Sequence, residues 1–144
     1  EAAGVQGPVR EIVTDPEYLD VSLSTGQAFT HPVKPGHTVF AYVVEGEGYF
    51  DQGRDSFARE ATGVNYFDMS QQSTCGTGTL VLYGPGDSVA VTTEQQPVRF
   101  LLVAGKPLGE PVAWRGPIVM NTQEELRTAF SEYSTGTFLR QAAS

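Results

Sequence analysis

The chain has 144 residues, 40% of them hydrophobic, enough to bury one core and too few for two comfortable domains. A net charge of −8 argues against direct binding to nucleic acid or to an anionic membrane, since both need a basic footprint. Cys75 is the single cysteine, so no disulfide forms within the chain and a reducing, cytoplasmic setting is the simpler expectation.

The opening, EAAGVQGP without an initiator Met, reads as a linker remnant over 1–8, with further chain expected upstream. No signal-peptide pattern is present, and the most apolar run, Phe100 to Ala104, is far too short to span a bilayer. Short apolar segments follow. After Val9 to Val13, the stretch Tyr18 to Leu23 alternates Leu19, Val21 and Leu23 with polar neighbours, the pattern of a half-buried strand. Ser24-Thr25-Gly26 turns the chain towards Ala28, Phe29 and His31, and Pro35-Gly36 turns it again into Val39 to Val44. That β-branched and aromatic run is expected to be a strand buried on both faces. Glu45 to Gly48 is expected to turn back into a short return strand at Tyr49 and Phe50.

Arg54 to Gly78 breaks the rhythm and reads as a long surface excursion with a strand-like island at Val64, Tyr66 and Phe67. Within it Cys75 sits in a polar Gly/Thr loop with no nucleophile turn, and Gly76-Thr77-Gly78 lacks the lysine of a phosphate loop. Strands resume at Leu80 to Tyr83, at Val89 and Val91, and at Val98 to Ala104, separated by the turns Gly84 to Asp87 and Glu94 to Pro97. About eight strands without an intervening helix predict an all-β, antiparallel jelly-roll barrel over 9–105. Residues 106–140 form a C-terminal arm and one short α-helix. Lys106 to Gly116, rich in proline and glycine, reads as an extended arm. Thr122 and Glu125 then form a capping box ahead of a stripe of Leu126, Ala129, Phe130 and Tyr133, and Gly136 supplies the stop.

The segment His31 to Gly48, HPVKPGHTVFAYVVEGEG, resembles the first motif of cupin barrels. Leu101 to Phe130, LLVAGKPLGEPVAWRGPIVMNTQEELRTAF, resembles the signature of the pirin family near its C-terminus, and Gly7 to Leu23, His31 to Gly48 and Thr79 to Asp87 match the second half of a pirin in the same order. The resemblance implies a bicupin parent whose N-terminal barrel carries an iron-type metal, Fe(II), held by three histidines and a glutamate. It further implies a parent that is a quercetin 2,3-dioxygenase-type oxidoreductase or a protein-binding cofactor of transcription.

Against the cupin pattern, His31 takes the place of the first ligand histidine, but Val33 stands where the second should be, and no histidine falls near Gln96 to Val98. His31 and His37, with Glu45, Glu47 or Asp51 as carboxylates, are the candidate metal ligands; the expectation is that this barrel binds none. No residue is assigned catalysis, Cys75 included. In the family the arm crosses to the metal-bearing barrel, so Trp114, Ile118, Leu126 and Phe130 are the candidate interface residues, with Arg115 beside them. The expected partner is the N-terminal cupin domain, or a second copy in a homodimer where that domain is absent.

Overall fold

The computed structural model describes residues 7, 12–54 and 73–139. Its elements run β1 (Glu17–Leu23), β2 (Ala28–Pro32), β3 (Thr38–Gly48), β4 (Cys75–Gly76), β5 (Leu80–Leu82), β6 (Ser88–Thr92), β7 (Val98–Gly105), β8 (Ala113–Arg115), β9 (Ile118–Met120) and α1 (Gln123–Thr135). They fall into two compact units, divided between Pro107 and Leu108.

In the first unit β1, β7 and β3 pair antiparallel in that order, and β4 and β5 both pair with β3 on its far side. A second sheet holds β2 and β6. Both sheets send their buried residues into one core, with Val39, Ala41, Val43, Phe100 and Leu102 from the larger and Val89 and Val91 from the smaller. Phe100 meets Phe29 and Phe50 edge-on, at centroid distances of 5.8 and 5.1 Å. The sheets are joined at a corner where Tyr49 and Thr92 exchange backbone hydrogen bonds of 2.8 and 2.9 Å. Among the described residues the ladders do not close into a continuous barrel, so the unit is two antiparallel sheets over a shared core.

Several elements differ from the sequence expectation. Val39 to Val44 is buried on one face only: Val39, Ala41 and Val43 point inward, whereas Tyr42 and Val44 are exposed. A continuous apolar run hides the period of two, which is why both-face burial was the natural reading. Glu45 to Gly48 does not turn back. β3 continues through it, its register against β7 slipping between Val43 and Glu45 as at a β-bulge. Gly46, at φ +77°, makes this possible, because a Cβ there would lie 1.9 Å from the carbonyl oxygen of Pro97. Tyr49 and Phe50 form a bridge and a buried anchor in place of a return strand. Cys75 is buried in β4 opposite Gly48, not in an open loop. Of the Val9 to Val13 segment, Ile12 and Val13 are exposed and outside any strand. Val64, Tyr66 and Phe67 lie outside the described residues.

The second unit is a hairpin and a helix. Lys106 to Gly116 is not wholly extended arm, because Ala113–Arg115 pairs with Ile118–Met120 across Gly116-Pro117. Gly116 has φ +56° and proline fixes a negative φ after it, the combination of a type II′ hairpin turn. The hairpin carries Ala113 and Ile118 onto Leu126 and Ala129 of α1, with Met120, Phe130 and Phe138 at the edge of this small core. The helix starts at the predicted capping box: Thr122 Oγ1 accepts from the Glu125 amide, and Glu125 Oε2 accepts from the Thr122 amide. It stops at Gly136 in the left-handed conformation. Tyr133 departs from the expected apolar stripe and is exposed.

Candidate functional site

His31 is the side chain on which a cupin-type site would have to be built. It lies on β2 in register with Val89, faces inward, and is buried. Its ring stacks on Phe29, two residues earlier on the same face, at 6.1 Å and 10°. Its Nε2 lies 3.0 Å from Glu17 Oε2, with both side chains more than nine-tenths buried. Glu17 opens β1 and is in phase with Leu19, Val21 and Leu23, so the alternation that marks this strand also aims Glu17 at the core. Sequence reasoning missed this residue, although extending the same alternation by one step would have found it. The pair spans the two sheets, β1 in the larger and β2 in the smaller.

The other proposed ligands do not join it. Val33 is buried within the apolar core, so the second histidine position of the cupin motif is filled by an aliphatic side chain. His37 is half-buried in the connection from β2 to β3; its amide donates to the Lys34 carbonyl at 3.1 Å, and its Nδ1 is buried without a hydrogen-bond partner. Glu45 is exposed on the bulge, opposite Arg99. Glu47 pairs with Gly76 in the ladder, and Asp51 caps a turn by accepting from the amides of Gly53 and Arg54. No group of three or more His, Cys, Asp or Glu side chains able to hold a metal is assembled among the described residues. The donor set does not fit the metal centre that the cupin pattern implies.

A second polar feature inside the unit is Tyr83, which follows β5 and packs against the core. Its hydroxyl is buried without a hydrogen-bond partner. Burial pushes its pKa well above the ordinary tyrosine value, and the negative charges available to Cys75 and Asp51 push the same way. At the surface, Arg99 makes a two-pronged contact with Asp20 at 2.7 and 3.0 Å, which lowers the Asp20 pKa from 3.8. Lys34 does the same to Asp15. A cleft of about 460 Å³ lies where β1, the β3 bulge and the turn before β7 meet, lined by Ser24, Glu45, Gln96 and Arg99 among others.

In the second unit the four candidate interface residues separate. Ile118 and Leu126 are buried in the hairpin–helix core, and Phe130 packs at its edge beneath the Arg115 guanidinium at 5.1 Å. Trp114 is 73% exposed, with its indole Nε1 donating to the Gly116 carbonyl at 2.6 Å.

Two antiparallel sheets on one core, with a histidine at the end of the strand that enters the first motif, define a cupin domain. The sequence family described as the pirin C-terminal cupin domain matches residues 18–139, and the chain belongs to the pirin family. It is 38% identical over 140 residues to a putative pirin-like protein of Arabidopsis thaliana, covering 94% of this chain and 45% of that protein. Human pirin is 36% identical, over 92% of this chain and 40% of its own length. Among solved structures, a quercetin 2,3-dioxygenase from Acinetobacter baumannii superposes with a TM-score of 0.74 at 26% identity, covering 96% of this chain and 41% of that one. The chain therefore spans less than half the length of these relatives.

Proposed function

We propose that this chain is the metal-free C-terminal cupin half of a pirin-like bicupin, acting as a structural and partner-binding domain beside a metal-bearing N-terminal cupin. One observation carries the reading: the histidine in the ligand position is engaged with Glu17 inside the core, and its would-be companion position is occupied by buried Val33. A metal held by His31 would have to compete with Glu17 for Nε2, and Val33 offers it no second imidazole. Iron, Fe(II), then belongs to the companion half, where it would activate dioxygen and an aromatic substrate. The likeness to a quercetin 2,3-dioxygenase supports a flavonol-type oxidoreductase as the activity of the whole cytoplasmic parent, with this half supplying support.

The arm is the proposed contact. Ile118, Leu126 and Phe130 serve it by holding hairpin and helix together, and exposed Trp114 is the side chain offered outward. The test is association in trans between the 144-residue chain and the N-terminal cupin half of its parent, measured by titration calorimetry, with iron and quercetin turnover assayed in each half and in the mixture. The reading expects a complex, metal and turnover tied to the N-terminal half, and weaker association for Trp114→Ala. Absence of any complex would overturn the partner role.

A further inference from the structure

The cleft beside the β3 bulge is used neither by the Glu17–His31 pair nor by the arm. Strand register builds it: Leu23 of β1 and Gly46 of β3 both pair with Val98 of β7, and the adjoining row sets Ser22 and Glu45 on either side of Arg99. Leu23 and Val98 are buried, whereas Ser22, Glu45 and Arg99 are exposed, so an apolar base carries a polar rim. Ser24 and the Gln96-Pro97 turn complete the lining. Groups outside the cleft hold these walls in place. Buried Thr93 ties the turn after β1 to the turn before β7: its Oγ1 donates to the Ser24 carbonyl at 2.7 Å and accepts from the Gln27 amide at 3.1 Å, and its amide donates to the Gln27 carbonyl at 3.0 Å. The Pro97 carbonyl accepts from the Glu47 amide at 3.3 Å and closes against Gly46. Asp20 fixes the Arg99 guanidinium through Nε and Nη2. The cleft is formed before any ligand arrives, which lowers the ordering cost of binding.

Its polar groups are unspent. Among the described residues, Ser22 Oγ, Ser24 Oγ, the Gln96 side-chain amide, the Glu45 carboxylate and Arg99 Nη1 make no hydrogen bond within the protein. They mix donors with acceptors, and the two charges among them are opposite. An anion drawn to Arg99 meets Asp20 and Glu45 beside it, and a cation drawn to Glu45 meets Arg99 across the strand pair. A zwitterion gains little, because Arg99 already shares its charge between two carboxylates. Neighbouring hydroxyls that each donate and accept suit the whole set, with the C–H face of the same ligand on Leu23, Pro97 and Val98. The volume of about 460 Å³ falls within the roughly 300–1,000 Å³ of small-molecule sites, and a rim this polar selects a hydrophilic occupant. We propose that this cleft binds a neutral polyhydroxylated ligand of sugar size, with Glu45 accepting from and Arg99 and Gln96 donating to adjacent hydroxyls.

The experiment is titration of the 15N-labelled 144-residue chain with D-glucose, D-galactose, D-mannose and myo-inositol, followed by amide chemical shifts. The expected result is saturable shifts with at least one of these probes, confined to residues 22–24, 45–46 and 96–99, at a Kd on the order of 1 mM. Glu45→Gln should weaken binding about five-fold, since it removes a charge-assisted acceptor at an exposed position, and Ser24→Ala about two-fold. Ser88→Glu on the other sheet should leave it unchanged. For whichever pyranose binds, a tighter fit than that of its methyl glycoside assigns the site to a free sugar, and the reverse assigns it to a glycosyl group. Absence of saturable shifts with every probe, or shifts spread evenly over the surface, would overturn the proposal. Glycine or sodium acetate binding as tightly as the sugars would overturn the neutral class of ligand, and affinity unaltered in both Glu45→Gln and Ser24→Ala would show that the sugar binds elsewhere.

Discussion

Replacing His31 by Leu isolates what the Glu17–His31 pair does. The substitution keeps bulk in the core but leaves the Glu17 carboxylate, 9% exposed, without its partner at 3.0 Å. Breaking a buried pair from one side costs about 3–5 kcal/mol, because the surviving charge stays desolvated. For a domain of this size each kcal/mol lowers the Tm by roughly 3–4 °C, so the expected fall is about 9–20 °C. Glu17→Met should also destabilise, since the imidazole then loses its partner. The double variant, which removes both polar groups from the same apolar surroundings, should be more stable than His31→Leu alone, with a coupling energy of about 2 kcal/mol or more. Urea denaturation of the four proteins, followed by circular dichroism, completes the cycle. Strictly additive single effects, or a loss below about 1 kcal/mol for His31→Leu, would refute the pair as the tie between the two sheets.

Three further outcomes follow from individual contacts. Tyr83→Phe removes a buried hydroxyl with no hydrogen-bond partner and should be neutral or stabilising by about 1 kcal/mol in urea melts; marked destabilisation would mean that the hydroxyl is satisfied in solution. The same variant reports on pH. The folded Tyr83 pKa is raised above 10.0, so the unfolded chain loses its proton first and stability should fall as pH rises past that value. That part of the alkaline loss should vanish in Tyr83→Phe. Gly46→Ala should cost at least about 2 kcal/mol, since it adds left-handed strain to a clash with the Pro97 carbonyl, and a wild-type melt would contradict the described bulge. Arg99→Ala should return the Asp20 pKa upward towards 3.8 in a carboxyl NMR titration. The small stabilisation from this exposed pair is complete above 3.8 and is lost as pH falls through the lower folded value, so the variant should show a weaker acid dependence there.

Sequence carried the positions of β1, β2, β3, β5, β6 and β7 and the helix caps because these are written in local chemistry. Alternation marked β1, Gly and Pro marked the turns, and Thr122, Glu125 and Gly136 act on backbone groups within one turn of themselves. What it hid depended on partners distant in the chain. Cys75 looked like loop because its flanks are Gly and Thr, and only pairing with Gly48 reveals a buried edge strand. The β3 bulge depends on how closely Pro97 approaches Gly46, fifty-one residues earlier in the chain. The apolar run of Val39 to Val44 concealed its own exposed face, because an apolar residue on an exposed face and one facing the core look alike in sequence. For the site, the absent second histidine was legible at Val33. That His31 is committed to Glu17 was not, since it requires two strands from different sheets to meet.

Metal content tests the central claim most directly. The chain, purified without a histidine tag, is offered excess Fe(II) under anaerobic conditions, desalted, and analysed by elemental mass spectrometry. A metal-free partner half retains far less than one equivalent, and His31→Ala with His37→Ala leaves that metal content unchanged. Stoichiometric iron that disappears in the double variant would contradict the claim and make this cupin itself a catalytic candidate.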